Sequence, residues 1–438
     1  MSDKRWTRRR LIVIAAIALL LVVGVVVLLR MNNERLFDRP LSAADLPTLA
    51  AQIKEVRAAQ HWKPDPHYRP RLTREVLLQS ARQGCAALAA NQRPAGNFNY
   101  EYNFVARTQS ESDNQVRQAG ALWGVAFCYA FDHDATTRAA LERGLDFFRR
   151  HSTRRGDGAL IPRYPGKVSV QTGTAALVSL ALIDYLRAAI DLPPERRRVL
   201  ESMLDGYLIL LQSLQFNSGA FSSGLIRGID VEIGRGSPYY DGETLLALIE
   251  AAKYLGRREL LPVIQKAAAR LAQKYTVEAW RKSRNPDDTK SFYQWGTMAF
   301  AEYQDAGWPH ADLYADAALA LSWWVINVHG VGTRSFNTGY AYEGLVQAWR
   351  IAQKRGDEAA ASRLLHTIDA GLYQLTTFQV EGPLIKKNRF LLLHRTSDPL
   401  AVGAILNEPN RPTMRLDVTQ HQMHAVLLAL DSIYQATP

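Results

Sequence analysis

Six stretches of this chain repeat one design, and that repetition limits the folds open to it more than any other feature. In each, a polar or glycine-rich loop carrying aromatic residues runs into a small, apolar, alanine-rich helix: 112–130, 171–186, 239–254, 292–303, 336–352 and 417–430. Between them lie helices with one charged face, at 73–90, 136–150, 195–215, 258–274, 311–326 and 358–377. A helix that is apolar all round belongs in an interior, and one with a single apolar stripe covers it. Six buried helices alternating with six covering ones describe an all-α (α/α)6 toroid, in which the loops leading into the inner helices form one rim of a central hollow. The alternative is a less regular solenoid of helix pairs. The long connection over 383–414 is expected to lie on the rim, with short strands at 389–393.

The N-terminus reads differently. Residues 11–29 are nineteen apolar residues without a charge, about 28 Å as a helix and close to the hydrocarbon thickness of a bilayer. The run exceeds the apolar core of a cleaved signal and is followed by no small-residue cleavage site. Lys4, Arg5, Arg8, Arg9 and Arg10 precede it, whereas the cations that follow are sparser. The positive-inside tendency then leaves the remainder of the chain on the exported side. The expected order is a basic cytoplasmic tail (1–10), a single transmembrane helix (11–29), a proline-broken stalk (30–72) and the toroid (73–438). The inner membrane is one expected partner.

Net charge is +11. Residues 1–39 hold eight cations and three anions, a net of +5, which leaves +6 for the rest. That mild bias suits an anionic polymer or a membrane surface. No helix-turn-helix, zinc-finger or basic-aromatic pattern accompanies it, so no nucleic-acid partner is expected. The two cysteines, Cys85 and Cys128, sit in apolar helical stretches and read as buried thiols, although an exported chain is able to pair them. The absence of a phosphate-binding glycine loop, a nucleophile elbow and an H-E-x-x-H run withdraws support from phosphoryl transfer, α/β-hydrolase and zincin chemistry.

Three rim clusters have residue types suited to sugar chemistry. The first holds Tyr100, Tyr102, Asp113, Asn114 and Arg117. Asp113 and Arg117 are four apart and able to pair on a helix face, either to support the helix behind a Ser112 cap or to serve a substrate. The second holds Tyr239, Tyr240, Asp241 and Glu243 at the mouth of the third inner helix. Its two carboxylates point about 200° apart, so only one of them can face a shared cavity. The third holds Arg415, Asp417, His421 and His424, the last three on one helix face, a spacing open to a metal site, to an acid–base set, or to a capped helix with core histidines, of which no second ligand set supports the metal. Tyr342, Glu343 and Gln294 also fall in early turns of inner helices, and Lys386, Lys387, Arg389, His394 and Arg395 form a basic loop. The expected catalytic residues are Asp113, Asp241, Glu243, Asp417 and His421. The expected substrate-binding residues are Tyr100, Tyr102, Asn114, Arg117, Tyr239, Tyr240, Tyr342, Glu343 and Arg415. No metal and no cofactor is called for.

On these six loop-to-helix segments, residues 73–436 resemble the (α/α)6 carbohydrate-active enzymes: glucuronyl hydrolases, sugar epimerases and polysaccharide lyases. The resemblance is architectural and carries no family's catalytic motif onto this chain. It implies a polysaccharide or oligosaccharide substrate. The favoured expectation is a glycoside hydrolase acting on an acidic or amino-sugar polymer beside envelope polysaccharide machinery. The alternatives are a uronate C5-epimerase or lyase, and a non-catalytic polymer-binding subunit.

Overall fold

A computed structural model describes residues 39–436. The apolar run at 11–29 and its basic flank lie outside the described residues, and among the described ones no helix is long and apolar enough to cross a membrane. Among the described residues there are thirteen principal helices. After α1 (Leu46–Ala58) come six covering helices, α2 (Arg74–Ala90), α4 (Ala135–Arg150), α6 (Pro194–Ser213), α8 (Leu261–Ala272), α10 (Ala311–Asn327) and α12 (Glu358–Thr376). These alternate with six inner ones: α3 (Gln115–Asp132), α5 (Thr172–Ala188), α7 (Pro238–Tyr254), α9 (Asp287–Asp305), α11 (Gly339–Lys354) and α13 (Leu416–Ser432). Each inner helix packs on the next, and α13 returns to pack on α3, which closes the ring. Each covering helix lies against the inner helix that follows or precedes it in the chain. The structure is therefore the toroid rather than an open solenoid.

Composition explains the layering. In α5, fourteen of seventeen residues are buried, among them Ala175, Ala176, Val178, Leu180, Ala181 and Ile183, so this helix has no solvent face. Small side chains let six backbones crowd one axis without leaving voids. In α4 the buried residues are confined to one stripe (Ala140, Leu141, Leu145, Phe148), and Arg149 and Arg150 stand outside.

The turns from covering to inner helices share a device that periodicity does not reveal. Gln92 at the end of α2 donates to Gly96 O (3.0 Å) and to Ala140 O on the neighbouring covering helix (2.7 Å). Gln215 at the end of α6 does the same to Gly219 O (3.2 Å) and Val263 O (2.9 Å). Both glycines have left-handed backbones, φ 105° and 107°, and a Cβ on either would meet a neighbouring carbonyl oxygen within 2.6 Å. Two residues on, the amide of Phe98 is held by Gln118 Oε1 (2.8 Å) and that of Phe221 by Asp241 Oδ1 (2.7 Å). Each device pins a rim loop to the head of an inner helix.

Among the described residues, three small sheets decorate the rim. The first is β1 (Glu101–Asn103) with β2 (Thr108–Gln109) and β8 (Thr413–Arg415), with Glu101 opposite Arg415. It zips the loop before α3 to the start of α13. The second is β3 (Ser152–Arg154) with β4 (Leu160–Pro162), and the third β5 (Ser169–Gln171) with β6 (Gly224–Ile226) and β7 (Val231–Glu232). Residues 389–393, expected as strand, form a short helix capped by Asn388; the apolar run there is too short for periodicity to separate the two states.

Two further expectations change. Residues 46–58 are not extended stalk: they form α1, whose Leu49 and Ile53 are buried against the domain. Proline punctuation at 64–70 is real, but the segment lies along the domain, with the amide of Leu72 donating to Asp369. The cysteines are not free thiols. Cys85 of α2 and Cys128 of α3 form a disulfide with Cα atoms 5.7 Å apart, because the first covering and first inner helices lie side by side.

The disulfide closes a loop of 43 residues across the first helix pair. Replacing both cysteines by alanine should cost about 2–4 kcal/mol and lower the thermal midpoint under non-reducing conditions, and a reductant should bring the parent protein down to match. Equal midpoints for the two proteins would remove the bridge from the account of stability.

Candidate active site

The inner ring opens at the rim into a cavity of about 390 Å³, and all six inner helices or the loops before them reach it. The volume is of the order that holds a sugar-sized ligand. Its chemistry divides into three groups.

The first is Glu243, on the inner face of α7. It is 3% exposed, lines the cavity, and leaves Oε2 without a hydrogen-bond partner among the described residues. Burial without a compensating cation pushes its carboxyl up to about 8, so it is a neutral acid at physiological pH. Gly173 of α5 makes the space: a Cβ there would lie 2.2 Å from Glu243 Oε2 and 2.7 Å from the ring of Tyr240. Tyr240 lines the same wall, its phenol raised by burial.

The second group is a carboxylate–imidazole pair. Glu343 of α11 is fully buried, with Oε1 at 3.2 Å from His421 Nδ1 and 3.1 Å from His424 Nδ1. Gln294 of α9 donates to Oε2. Burial alone would raise this carboxyl, but the two histidines outweigh it and hold Glu343 below its ordinary value. His421 lines the cavity, and Nδ1 at Glu343 leaves Nε2 for a substrate. A buried carboxylate behind an imidazole fixes the ring's tautomer and orientation. Trp295 meets the His421 ring edge-on at 5.9 Å. His424 is held elsewhere, stacked on Phe127 at 4.3 Å.

The third is an arginine–carboxylate clamp. Asp417 accepts from Arg415 Nε (3.1 Å) and Nη2 (2.5 Å), and Arg117 Nε lies 3.2 Å away. Behind both arginines sits Tyr100, with Arg117 5.4 Å and Arg415 6.0 Å from its ring centre. The clamp presents the remaining guanidinium donors of Arg117 and Arg415 to the cavity that both line.

The structure sorts the expected residues. It gathers Asn114, Arg117, Tyr239, Tyr240, Glu243, Arg415, Asp417 and His421 at the cavity, with Glu343 directly behind. Five others lie elsewhere, and one of those gathered, Asp417, changes its role. Asp113 does not pair with Arg117: its oxygens accept from Gln118 Nε2 (2.8 Å) and Tyr164 OH (2.7 Å), away from the cavity, while Asn114 rather than Ser112 caps α3. Asp241 is wholly buried as the rim lock described above, with Tyr275 OH at 2.5 Å and Lys274 Nζ at 3.5 Å. Asp417 reaches the cavity, but its carboxylate is occupied by two guanidiniums, Arg415 and Arg117. Tyr100 lies under the arginines instead of presenting a face to sugar. Tyr102 turns to Asp398 (2.5 Å), and Tyr342 is buried outward toward Gly371 of α12.

Sequence reasoning missed Trp295, Phe336, Asn337, Tyr340, Lys290 and Asn407, which also line the cavity. Position along an inner helix would have found some of them. Tyr240 and Glu243 are the third and sixth residues of α7, Arg117 the third of α3 and His421 the sixth of α13, all on one helical face.

No protein-family model matches the sequence, and no curated protein matches it. Solved structures do match. A D-mannose isomerase aligns at 13% identity over 83% of this chain and 100% of its own, with a TM-score of 0.58. The α-1,6-mannanase of Salegentibacter sp. HEL1_6 aligns at 10% identity over 81% and 98%, TM-score 0.55. The cellobiose 2-epimerase of Bacillus thermoamylovorans B4167 aligns at 10% over 81% and 98%, TM-score 0.54. The chain has the (α/α)6 toroid fold of these carbohydrate-active enzymes. At such identities the likeness is one of fold, and it leaves the chemistry to be argued from the cavity.

A buried neutral acid carries a signature in stability. The folded state of Glu243 retains its proton up to about pH 8, while the unfolded chain releases it in the ordinary carboxylate range. Stability should therefore fall as pH climbs between those two values. Glu243→Gln, which keeps the shape without the ionisation, should raise the thermal midpoint at pH 8 and leave it nearly unchanged at pH 4. A midpoint difference independent of pH would show that Glu243 is not neutral in the fold.

Proposed function

We propose that this protein is a membrane-anchored, exported glycan-processing enzyme that hydrolyses a glycosidic bond, with Glu243 as general acid and the His421–Glu343 pair as general base. The observation that carries the reading is Glu243: a carboxyl that is buried, unpaired at one oxygen, protonated near neutrality and open to a sugar-sized cavity. A glycosidic leaving oxygen needs such a proton donor. His421 Nε2 takes a proton from water, Glu343 steadies the imidazolium that results, and the water oxygen attacks the anomeric carbon as Glu243 protonates the departing oxygen. The base in this scheme is an imidazole backed by a carboxylate and not a second free carboxylate. Tyr239, Tyr240, Trp295 and Phe336 supply aromatic surface, and Asn114, Asn337, Asn407 and Gln420 supply donors and acceptors for hydroxyls.

Several observations support a sugar substrate and an exported site. The α-1,6-mannanase of similar fold is solved with α-1,6-mannotriose, at TM-score 0.54. The apolar run at 11–29 with its basic flank supports the anchor. The Cys85–Cys128 disulfide suits an oxidising compartment.

One observation favours a second reading. An imidazole oriented by Glu343, facing a cavity where Arg117 and Arg415 offer guanidinium donors, would also abstract the proton next to a uronate carboxylate, as a C5-epimerase or lyase requires. Reaction in deuterated water separates the two. Hydrolysis releases a new reducing end without carbon-bound deuterium, whereas epimerisation leaves deuterium on carbon and lyase action leaves an unsaturated, absorbing product.

Glu243→Gln in the full-length protein should lower kcat by about 10²–10⁴-fold, and activity of the parent should decline above about pH 8 as Glu243 ionises. Screening is done against acidic, amino-sugar and α-mannan oligosaccharides. Full activity of the Gln variant on a substrate that the parent cleaves would remove Glu243 as the acid.

A further inference from the structure

Beside the central cavity lies a second cleft of about 580 Å³ that the chemistry above does not use. Its walls are the proline-broken segment 65–71, the loop 331–338 and the face of α12 from Arg363 to Leu375. We propose that this cleft binds an anionic unit, a carboxylate- or phosphate-bearing sugar, of the same glycan whose reacting bond sits in the central cavity. The proposal rests on the glycan-processing reading for its substrate, though not for its geometry.

Charge is the first ground. Four arginines line the cleft, Arg69, Arg71, Arg334 and Arg363, against one carboxylate, Asp65. Over the whole chain cations exceed anions only as 53 to 42, so a ratio of four to one is a local feature. None of the four has a carboxylate partner among the described residues, whereas most arginines elsewhere on this surface do, such as Arg163 with Asp230 and Arg257 with Asp205. Uncompensated guanidiniums gathered around a concave surface are the usual receptor for carboxylate or phosphate.

The second ground is that these groups are held in place. Arg334 donates from Nη2 to His329 Nδ1 (3.2 Å) and to its carbonyl (3.3 Å), and lies 5.8 Å from the ring of Phe336. Arg71 sits 5.7 Å from the ring of Tyr373, and Arg69 Nη1 donates to Tyr68 O (2.8 Å). The segment that brings Arg69 and Arg71 is itself fastened. Tyr68 stacks on His366 with ring centres 3.9 Å apart, and His366 Nδ1 accepts the amide of Asp65 at 3.2 Å. An open basic loop has no such anchoring; this one is pre-organised.

The third ground is continuity. Phe336 lines both hollows and is 40% exposed. Around it the loop divides its side chains: Asn337 and Tyr340 face the cavity, and Thr338 and Tyr342 face the cleft. A glycan leaving the cavity passes over the Phe336 ring, an apolar platform for a sugar face, and reaches the arginines without crossing open solvent. Charge, rigidity and adjacency together define a distal subsite that selects for an acidic neighbour of the bond processed.

The test uses the full-length Glu243→Gln protein in detergent micelles, so that binding is read without turnover. Titration calorimetry compares a neutral mannotetraose, a tetragalacturonate and a mannotetraose bearing one phosphomonoester. At low salt at least one anionic probe should bind about tenfold more tightly than the neutral one, and about 0.5 M salt should erase the margin. Adding Arg69→Gln and Arg363→Gln should erase it too, with affinity for the neutral probe unchanged; Arg363→Gln alone serves if the combination does not fold. Which anionic probe holds the margin tells carboxylate from phosphate. A margin that survives the substitutions, or no margin at all, overturns the proposal. Loss of the margin alongside full turnover by Glu243→Gln would instead sink the central-cavity chemistry and leave the cleft standing.

Discussion

The packing of the last inner helix on the first is the contact on which the rest depends. Without α13 against α3 the six helix pairs would be an open stack, and the rim loops would face different directions. Across that seam lie Arg117 with Asp417, the Arg415–Tyr100 contact, and Gly124, whose missing side chain admits Gln420: a Cβ there would come within 2.8 Å of it. The short sheet that pairs β1 with β8 binds the same two ends of the chain at the rim. Closure is therefore not only a matter of stability. It brings residues 300 positions apart, such as Arg117 and Asp417, to one wall of a shared hollow.

Within that hollow, two carboxyls on nearby inner helices are driven to opposite states by their surroundings. Glu243 has apolar and aromatic neighbours and no cation, and it keeps its proton. Glu343 is more deeply buried, yet two imidazoles and an amide face it, and it stays charged. Environments that push paired titratable groups apart are how one site comes to hold an acid and a base at the same pH. The cost of keeping Glu243 unpaired falls on the scaffold, and the crowded alanine-rich ring is rigid enough to bear it.

The architecture was readable because it is written in composition over long windows. Helices that are apolar on every side, alternating with helices that are not, admit few arrangements, and the boundaries of most of the twelve shifted by no more than a few residues. The failures came from short-range signals. The run Phe390–Leu393 was too brief to tell helix from strand, and the prolines at 64–70 concealed that α1 and the following segment lie on the domain. The cysteine pairing depended on which helices are neighbours in space, something spacing along the chain does not contain. At the site, Asp241 and Glu243 were correctly separated onto opposite faces. Choosing between them needed the turn geometry that assigns the fourth residue of an inner helix to locking the rim.

That geometry explains why the most catalytic-looking acids in the sequence are structural. Rim loops in a ring of this kind must be tied to inner-helix heads, and loop amides buried there need an acceptor. A short polar side chain at the fourth position meets that need, as Gln118 does at Phe98 and Asp241 at Phe221. Asp113, two residues before the first of these helices begins, joins Gln118 to Tyr164. These residues cluster with aromatics and glycines for mechanical reasons, and the pattern looks like a sugar site from sequence alone. What separates Glu243 from them is the absence of a partner. An acid whose oxygen is satisfied by the fold has its proton affinity fixed by the fold, whereas a buried acid left open to a cavity keeps its hydrogen-bonding capacity for whatever enters.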